Sequence, residues 1–163
     1  MNSQYNVLFL CTGNSARSIL AEALANQLSH GRLRAYSAGN HPRGEVYPVA
    51  LEVLAKAGLS TDGLRSKAWD EFAEPGAPEM DLVITVCDRA AGESCPIWPG
   101  HPATAHWGVE DPADATGSAE QVQKAFTNAM LLLQHRISLL LALKAEALDR
   151  LVLETAARHI GKQ

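Results

Sequence analysis

The sequence predicts an α/β fold, an open and mostly parallel sheet with helices on both faces. Three observations predict it. A continuous apolar run at Val7–Leu10 and a buried-type run at Leu82–Val86, broken only by Thr85, are of the kind that fill a sheet covered on both sides. Segments with apolar residues at helical spacing alternate with the strands, as crossovers between parallel strands require. The length of 163 residues and the 47% apolar content suit one domain with a buried core, spanning 1–163, and no repeat or linker divides it.

Taken in order, Val7–Leu10 is a strand that ends at Cys11, and Ser18–Ser29 is a helix in which Leu20, Leu24 and Leu28 share a face. Leu33–Ser37 is the second strand. Pro48 opens a helix with Leu51, Leu54 and Ala55 on one side, and Gly58 stops it. A short helix at Trp69–Phe72 and a breaker cluster, Glu74–Pro78, precede the strand Leu82–Val86, which again ends at a cysteine, Cys87. A long loop is expected from there to about Asp114. Ser118 and Gln121 then form a capping box, and Val122, Phe126, Met130, Leu133, Ile137 and Leu140 trace one face of a long helix. Leu131, Leu132, Leu139 and Leu143 lie off that stripe and need a partner. A helical extension over about 144–163, carrying Leu148, Leu151, Val152 and Ile160, is one candidate, and a dimer contact is the other.

The net charge of −4 gives no overall basic field, so neither nucleic acid nor an anionic membrane is expected as a partner, and any bound anion needs a local site. No apolar stretch approaches the roughly 20 residues that span a bilayer. Three cysteines, Cys11, Cys87 and Cys95, are too few for a secreted disulfide scaffold, and the N-terminus lacks a basic region before its apolar run. A cytoplasmic protein with reduced thiols is expected.

The segment Cys11-Thr12-Gly13-Asn14-Ser15-Ala16-Arg17-Ser18 leads from a strand into a helix N-terminus. Successive backbone N–H groups there can curl around a tetrahedral oxyanion, the helix dipole adds positive potential, and Arg17 can offer a bidentate fork. The same field stabilises a thiolate at Cys11, a nucleophile at neutral pH. Ser18 can donate to that thiolate, and Asn14 suits a left-handed position that braces the loop. Cys11 and Cys87 both stand at strand carboxyl ends, the edge where such sheets bind ligands. The plainer alternative makes Cys11 a small buried hydrophobe and Arg17 a solvated helix residue. Zinc is the other cysteine hypothesis, with His101 and His106 nearby, but the seven residues between Cys87 and Cys95 fit zinc spacings poorly, and no metal is expected.

Cys11 to Ser18 resembles the C-x5-R-S phosphate loop of the low-molecular-weight protein tyrosine phosphatase fold. Cys87-Asp-Arg-Ala-Ala-Gly-Glu-Ser-Cys95-Pro96 resembles the redox segment of bacterial arsenate reductases built on that fold, of the thioredoxin-coupled type, and His106-Trp107-Gly108-Val109-Glu110-Asp111-Pro112 resembles their general-acid loop. The similarity runs from about Val7 to about Ala142. It implies a four-stranded parallel sheet and a reaction in three thiol steps. Cys11 attacks arsenate while Asp111 protonates the departing oxygen. Cys87 then attacks Cys11 and releases arsenite, and Cys95 carries the resulting disulfide outward. No bound cofactor is implied. The reductant is an external thiol, with thioredoxin favoured and glutaredoxin with glutathione as the alternative, and phosphate or sulfate are competing oxyanions.

This sequence departs from its relatives at two places in the loop region. Position 16 is Ala where many relatives carry a further cysteine. Some relatives bind potassium beneath the loop. Asn14 and Ser37 fit that pattern, but Lys67 stands near where an acidic ligand would lie, and its ammonium is expected to replace the ion. The expected function is reduction of arsenate to arsenite in arsenic detoxification. A phosphomonoesterase needing only Cys11, Arg17 and Asp111 is one alternative, and a noncatalytic oxyanion-binding protein is another.

Overall fold

The computed structural model describes residues 5–86, 103–142 and 157–161. Strand β1 (Tyr5–Cys11) pairs in parallel with β2 (Leu33–Gly39) on one side and with β3 (Leu82–Thr85) on the other, and β4 (Ala103–His106) pairs in parallel with β3. The sheet order is β2-β1-β3-β4. The chain leaves β1 for one neighbour and later returns to its other side, so the strand order reverses at β1, and Cys11 sits at its carboxyl end. This is the position where open parallel sheets bind ligands.

Burial on both faces makes β1 and β3 the apolar runs of the sequence. Val7, Phe9 and Ile84 point into the main core, where Leu20 and Leu24 of α1 (Arg17–Leu28), Leu54 of α2 (Pro48–Lys56), and Phe126, Leu133 and Ile137 of α3 (Ala119–Leu141) meet them. Leu8, Leu10 and Val83 point the other way, beneath Trp69 and Phe72 of a 3-10 turn and Met80. Among the described residues the α-helices thus share one face, and the short Trp69–Phe72 element covers the other.

Local signals position these elements as their residue types dictate. Pro48 occupies the first turn of α2, where its missing N–H costs nothing, and Gly58 ends it at a φ of 78° that suits only glycine without strain. The capping box of α3 forms completely, with Ser118 Oγ accepting from Gln121 N (3.2 Å) and Gln121 Oε1 accepting from Ser118 N (2.8 Å). The expected stripe is buried from Phe126 to Leu140, with Val122 half-buried at its start. Leu131 remains 53% exposed.

The expected long loop to Asp114 contains β4. Its sequence, Ala-Thr-Ala-His, alternates buried and exposed positions over only four residues, and alanine is too small to signal a buried strand. Cys87, Cys95 and His101 lie outside the described residues. Of the extension, the described turn 157–161 packs on Trp107, with Ala157 and Ile160 in the main core.

Candidate active site

The loop after β1 is shaped by bonds to its carbonyls. Thr12 O accepts from His41 N (3.0 Å), Gly13 O from Arg43 N (3.0 Å) and from Ser66 Oγ (3.1 Å), and Ser15 O from Tyr47 N (2.8 Å). Every peptide here is trans, so each following N–H points opposite to its bonded carbonyl. The amides of Gly13, Asn14 and Ala16 therefore point opposite to the carbonyls that the 41–47 segment holds. The N-terminus of α1 adds to them. Ala16 gives no side-chain cap and the first turn of α1 holds no acidic residue.

Asn14 has a φ of 44°, the left-handed conformation that asparagine tolerates, and it is fully buried. Its Nδ2 donates to Ser18 Oγ (2.8 Å) and its Oδ1 accepts from Lys67 N (2.9 Å). Ser18 Oγ accepts this bond and so keeps its own proton to donate. Gly39, opposite Cys11 across the β1–β2 ladder, presses on the loop: a Cβ there would fall 2.5 Å from Thr12 O and 2.7 Å from Cys11 O. Both are backbone atoms, so position 39 admits no side chain without moving the loop.

Arg17 joins this loop to the segment after β4. Its Nη1 donates to Val109 O (3.0 Å), its Nη2 lies 3.3 Å from Asp111 Oδ2, and its Nε is buried with no acceptor among the described residues. A buried guanidinium N–H that finds no protein partner is suited to an anion in the cradle beside it. Asp111 Oδ1 accepts from Ala113 N (3.0 Å), which fixes the carboxylate at the start of a short 3-10 turn. Arg136 of α3 holds the same segment from behind, donating to Gly108 O (3.0 Å).

Beneath the loop lies a buried ion pair. Lys67 Nζ donates to Arg65 O (2.8 Å) and Ser37 Oγ (3.4 Å) and stands 3.7 Å from Glu22 Oε1, while Ser37 Oγ donates to Glu22 Oε1 (2.5 Å). Burial pushes the Glu22 carboxyl up and the Lys67 ammonium down, with their mutual attraction opposing both shifts. Lys67→Met leaves Glu22 buried without its cation and is expected to cost about 3 kcal/mol of stability at neutral pH. The sign follows from the raised carboxyl. Its contribution is fully present below the ordinary value of 4.5 and is lost as pH rises through the folded value. Denaturant midpoints of the variant should therefore approach those of the parent at acid pH and fall behind as pH rises.

The structure brings together Cys11, Thr12, Gly13, Asn14, Ser15, Ala16, Arg17, Ser18 and Asp111, with Ser37 and Lys67 beneath them. It places His106 in β4, with Nδ1 2.7 Å from Thr85 Oγ1, and no metal-ligating cluster occurs among the described residues. Sequence reasoning did not single out Glu22 or Arg136. A cleft of about 310 Å³ runs between the 109–112 segment and α3, lined by Glu110, Asp111, Asn128 and Leu132 among others; neither Cys11 nor Arg17 lines it. Among the described residues no helix is long and apolar enough to cross a membrane.

The chain is a parallel α/β sheet that carries a cysteine, followed by a loop into a helix N-terminus, at the point where its strand order reverses. The family model for low molecular weight phosphotyrosine protein phosphatases matches residues 6–154, and the chain belongs to that family. Arsenate reductases of Bacillus subtilis (strain 168) and Bacillus licheniformis are similar to it. The first is 38% identical over 115 residues, 71% of this chain and 79% of that one, and the second is 39% identical over 120 residues, 73% and 82% respectively. Solved neighbours include both chemistries. An arsenate reductase in the phosphate binding state has a TM-score of 0.66 at 26% identity, covering 85% of this chain and 98% of its own. A low molecular weight protein tyrosine phosphatase from T. tengcongensis has a TM-score of 0.67 at 25% identity, covering 83% and 96%.

Proposed function

We propose that this protein reduces arsenate to arsenite through a relay of Cys11, Cys87 and Cys95. The fold neighbours do not separate reductase from phosphatase. The observation that carries the reading is the identity of 38–39% to arsenate reductases in a chain that has two cysteines besides Cys11. The loop's amides and the Arg17 fork support oxyanion binding. The pairing of Arg17 with Asp111 supports a carboxyl that meets the same anion.

In this mechanism the Cys11 thiolate forms a bond to As(V), and an arsenate oxygen leaves as water with the proton that Asp111 carries. The Cys87 thiolate attacks Cys11 Sγ. The sulfur–arsenic bond breaks with its electron pair on arsenic, giving arsenite and a Cys11–Cys87 disulfide. Cys95 then attacks Cys87, frees Cys11 and leaves a Cys87–Cys95 disulfide. An external dithiol, thioredoxin in preference to glutaredoxin with glutathione, takes up that oxidation. Reduced thiols at rest fit a cytoplasmic setting. The Lys67 ammonium, against Ser37 and Glu22, stands in for the potassium ion of relatives, so potassium should change neither stability nor turnover.

The test counts free thiols in fully reduced, anaerobic protein before and after arsenate, with no other reductant present. The expected result is a fall from three per chain to one. No fall with phosphate-ester hydrolysis intact would make the protein a phosphatase, and no fall without hydrolysis would leave either an oxyanion-binding protein or a reductase whose adduct waits for an external thiol.

A further inference from the structure

We propose that the C-terminal turn, residues 157–161, is a positioning element for the loop that carries Asp111, acting through Trp107. The inference rests on the reading of Asp111 as the acid, and it concerns a segment beyond the residues 6–154 that the family model matches. Trp107 opens the Asp111 loop and is completely buried. Its indole Nε1 donates to Ala157 O (2.9 Å), which also accepts from Gly161 N (3.1 Å), so one carbonyl ties the turn to itself and to the tryptophan. Gly161 lies against the strand end with no room for a side chain: a Cβ would meet His106 O at 2.4 Å and Trp107 Cδ1 at 2.8 Å. Ala157 and Ile160 are buried in the same main core as Trp107.

From Trp107 to Asp111 the loop is held residue by residue. Trp107 N donates to Thr85 O (2.7 Å), Arg136 Nη1 to Gly108 O (3.0 Å), Val109 N to Val86 O (3.1 Å) and Arg17 Nη1 to Val109 O (3.0 Å). The indole bond is the link that fixes the root of this series. A carboxyl that must meet a departing oxygen tolerates a displacement of only about 0.5 Å, so loosening the root reaches the chemistry four residues on. The turn touches no reacting atom. Its effect passes through Trp107.

The experiment uses full-length Gly161→Ala and Trp107→Phe variants with two readouts. The first is amide hydrogen exchange at Val109, with Ala35 in β2, whose N–H is held by Asn26 Oδ1 (2.9 Å) on the far edge of the sheet from Trp107, as the internal reference. Protection at Val109 should fall about tenfold in both variants, as expected for loss of one ordinary hydrogen bond, while Ala35 is unchanged. Equal losses at both positions, or no loss at Val109, would overturn the proposal. The second is the single-turnover rate of arsenate-dependent thiol loss, measured with and without Asp111→Asn. Gly161→Ala should slow the reaction in the parent and cost nothing further once Asp111 is Asn, whereas additive losses would overturn the proposal. If Gly161→Ala fails to fold, Trp107→Phe decides by the same criteria. If the parent consumes no thiols with arsenate, the relay reading fails, and the exchange arm still decides whether the turn holds the loop.

Discussion

Cys11→Ser is expected to bring arsenate reduction and phosphate-ester hydrolysis to background together. A serine hydroxyl in the same cradle stays protonated at neutral pH, whereas a thiol with an ordinary pKa of about 8.5 is readily drawn into the thiolate form by an anion-binding loop and helix N-terminus. Serine also cannot form the disulfide on which the two-electron step depends. The carbonyls of Thr12, Gly13 and Ser15 are all bonded from outside, so the loop keeps its shape in the variant and should still bind phosphate. Arsenite release and hydrolysis of an aryl phosphate measure the two activities, and phosphate calorimetry checks the cradle. Cys87→Ser should lose arsenite release while retaining hydrolysis, and a Cys87→Ser protein that still turned over arsenate with thioredoxin would remove the relay.

Arg17→Lys should lower kcat/KM for arsenate by about 10³-fold, the loss typical of a well-placed oxyanion donor. Arg17 makes two connections at once, to Val109 O and Asp111, and under the proposed function its buried Nε, which has no acceptor among the described residues, would serve the anion. A lysine ammonium is a single point charge and cannot span those positions in one plane. The variant should therefore bind phosphate more weakly and misplace the Asp111 carboxyl, raising KM and lowering kcat together. Steady-state kinetics with phosphate titration test this. A change in KM alone would assign Arg17 to binding and remove its link to the acid.

The elements legible in the sequence are those whose signal is local. The expected β1 run stops one residue before the strand's end at Cys11 and the expected β3 run one residue beyond its end at Thr85, the capping box of α3 is read from Ser118 and Gln121, and Asn14 takes the left-handed conformation its side chain permits. The cradle was legible because Cys11, Asn14, Arg17 and Ser18 lie within one loop. What escaped is long-range or small. β4 offers two alanines as its inward signal. Glu22 lies on α1 and gains meaning only from Lys67, brought beneath the loop by the strand pairing. Arg136 meets Gly108 across 28 positions and Trp107 meets Ala157 across 50, separations that periodicity cannot register.

The outward anchoring of the loop carbonyls bears on selectivity. A cradle already rigid before its guest arrives spends little free energy on ordering, and it recognises a charged tetrahedron by size and geometry alone. Arsenate and phosphate are near equals by that criterion, so under the proposed function abundant phosphate would compete with arsenate for the loop. Discrimination would then come after binding, when a second thiol can draw electrons into arsenic but finds no such outlet at phosphorus. Substrate choice would rest on redox reactivity, and efficiency in a cell on the ratio of the two anions.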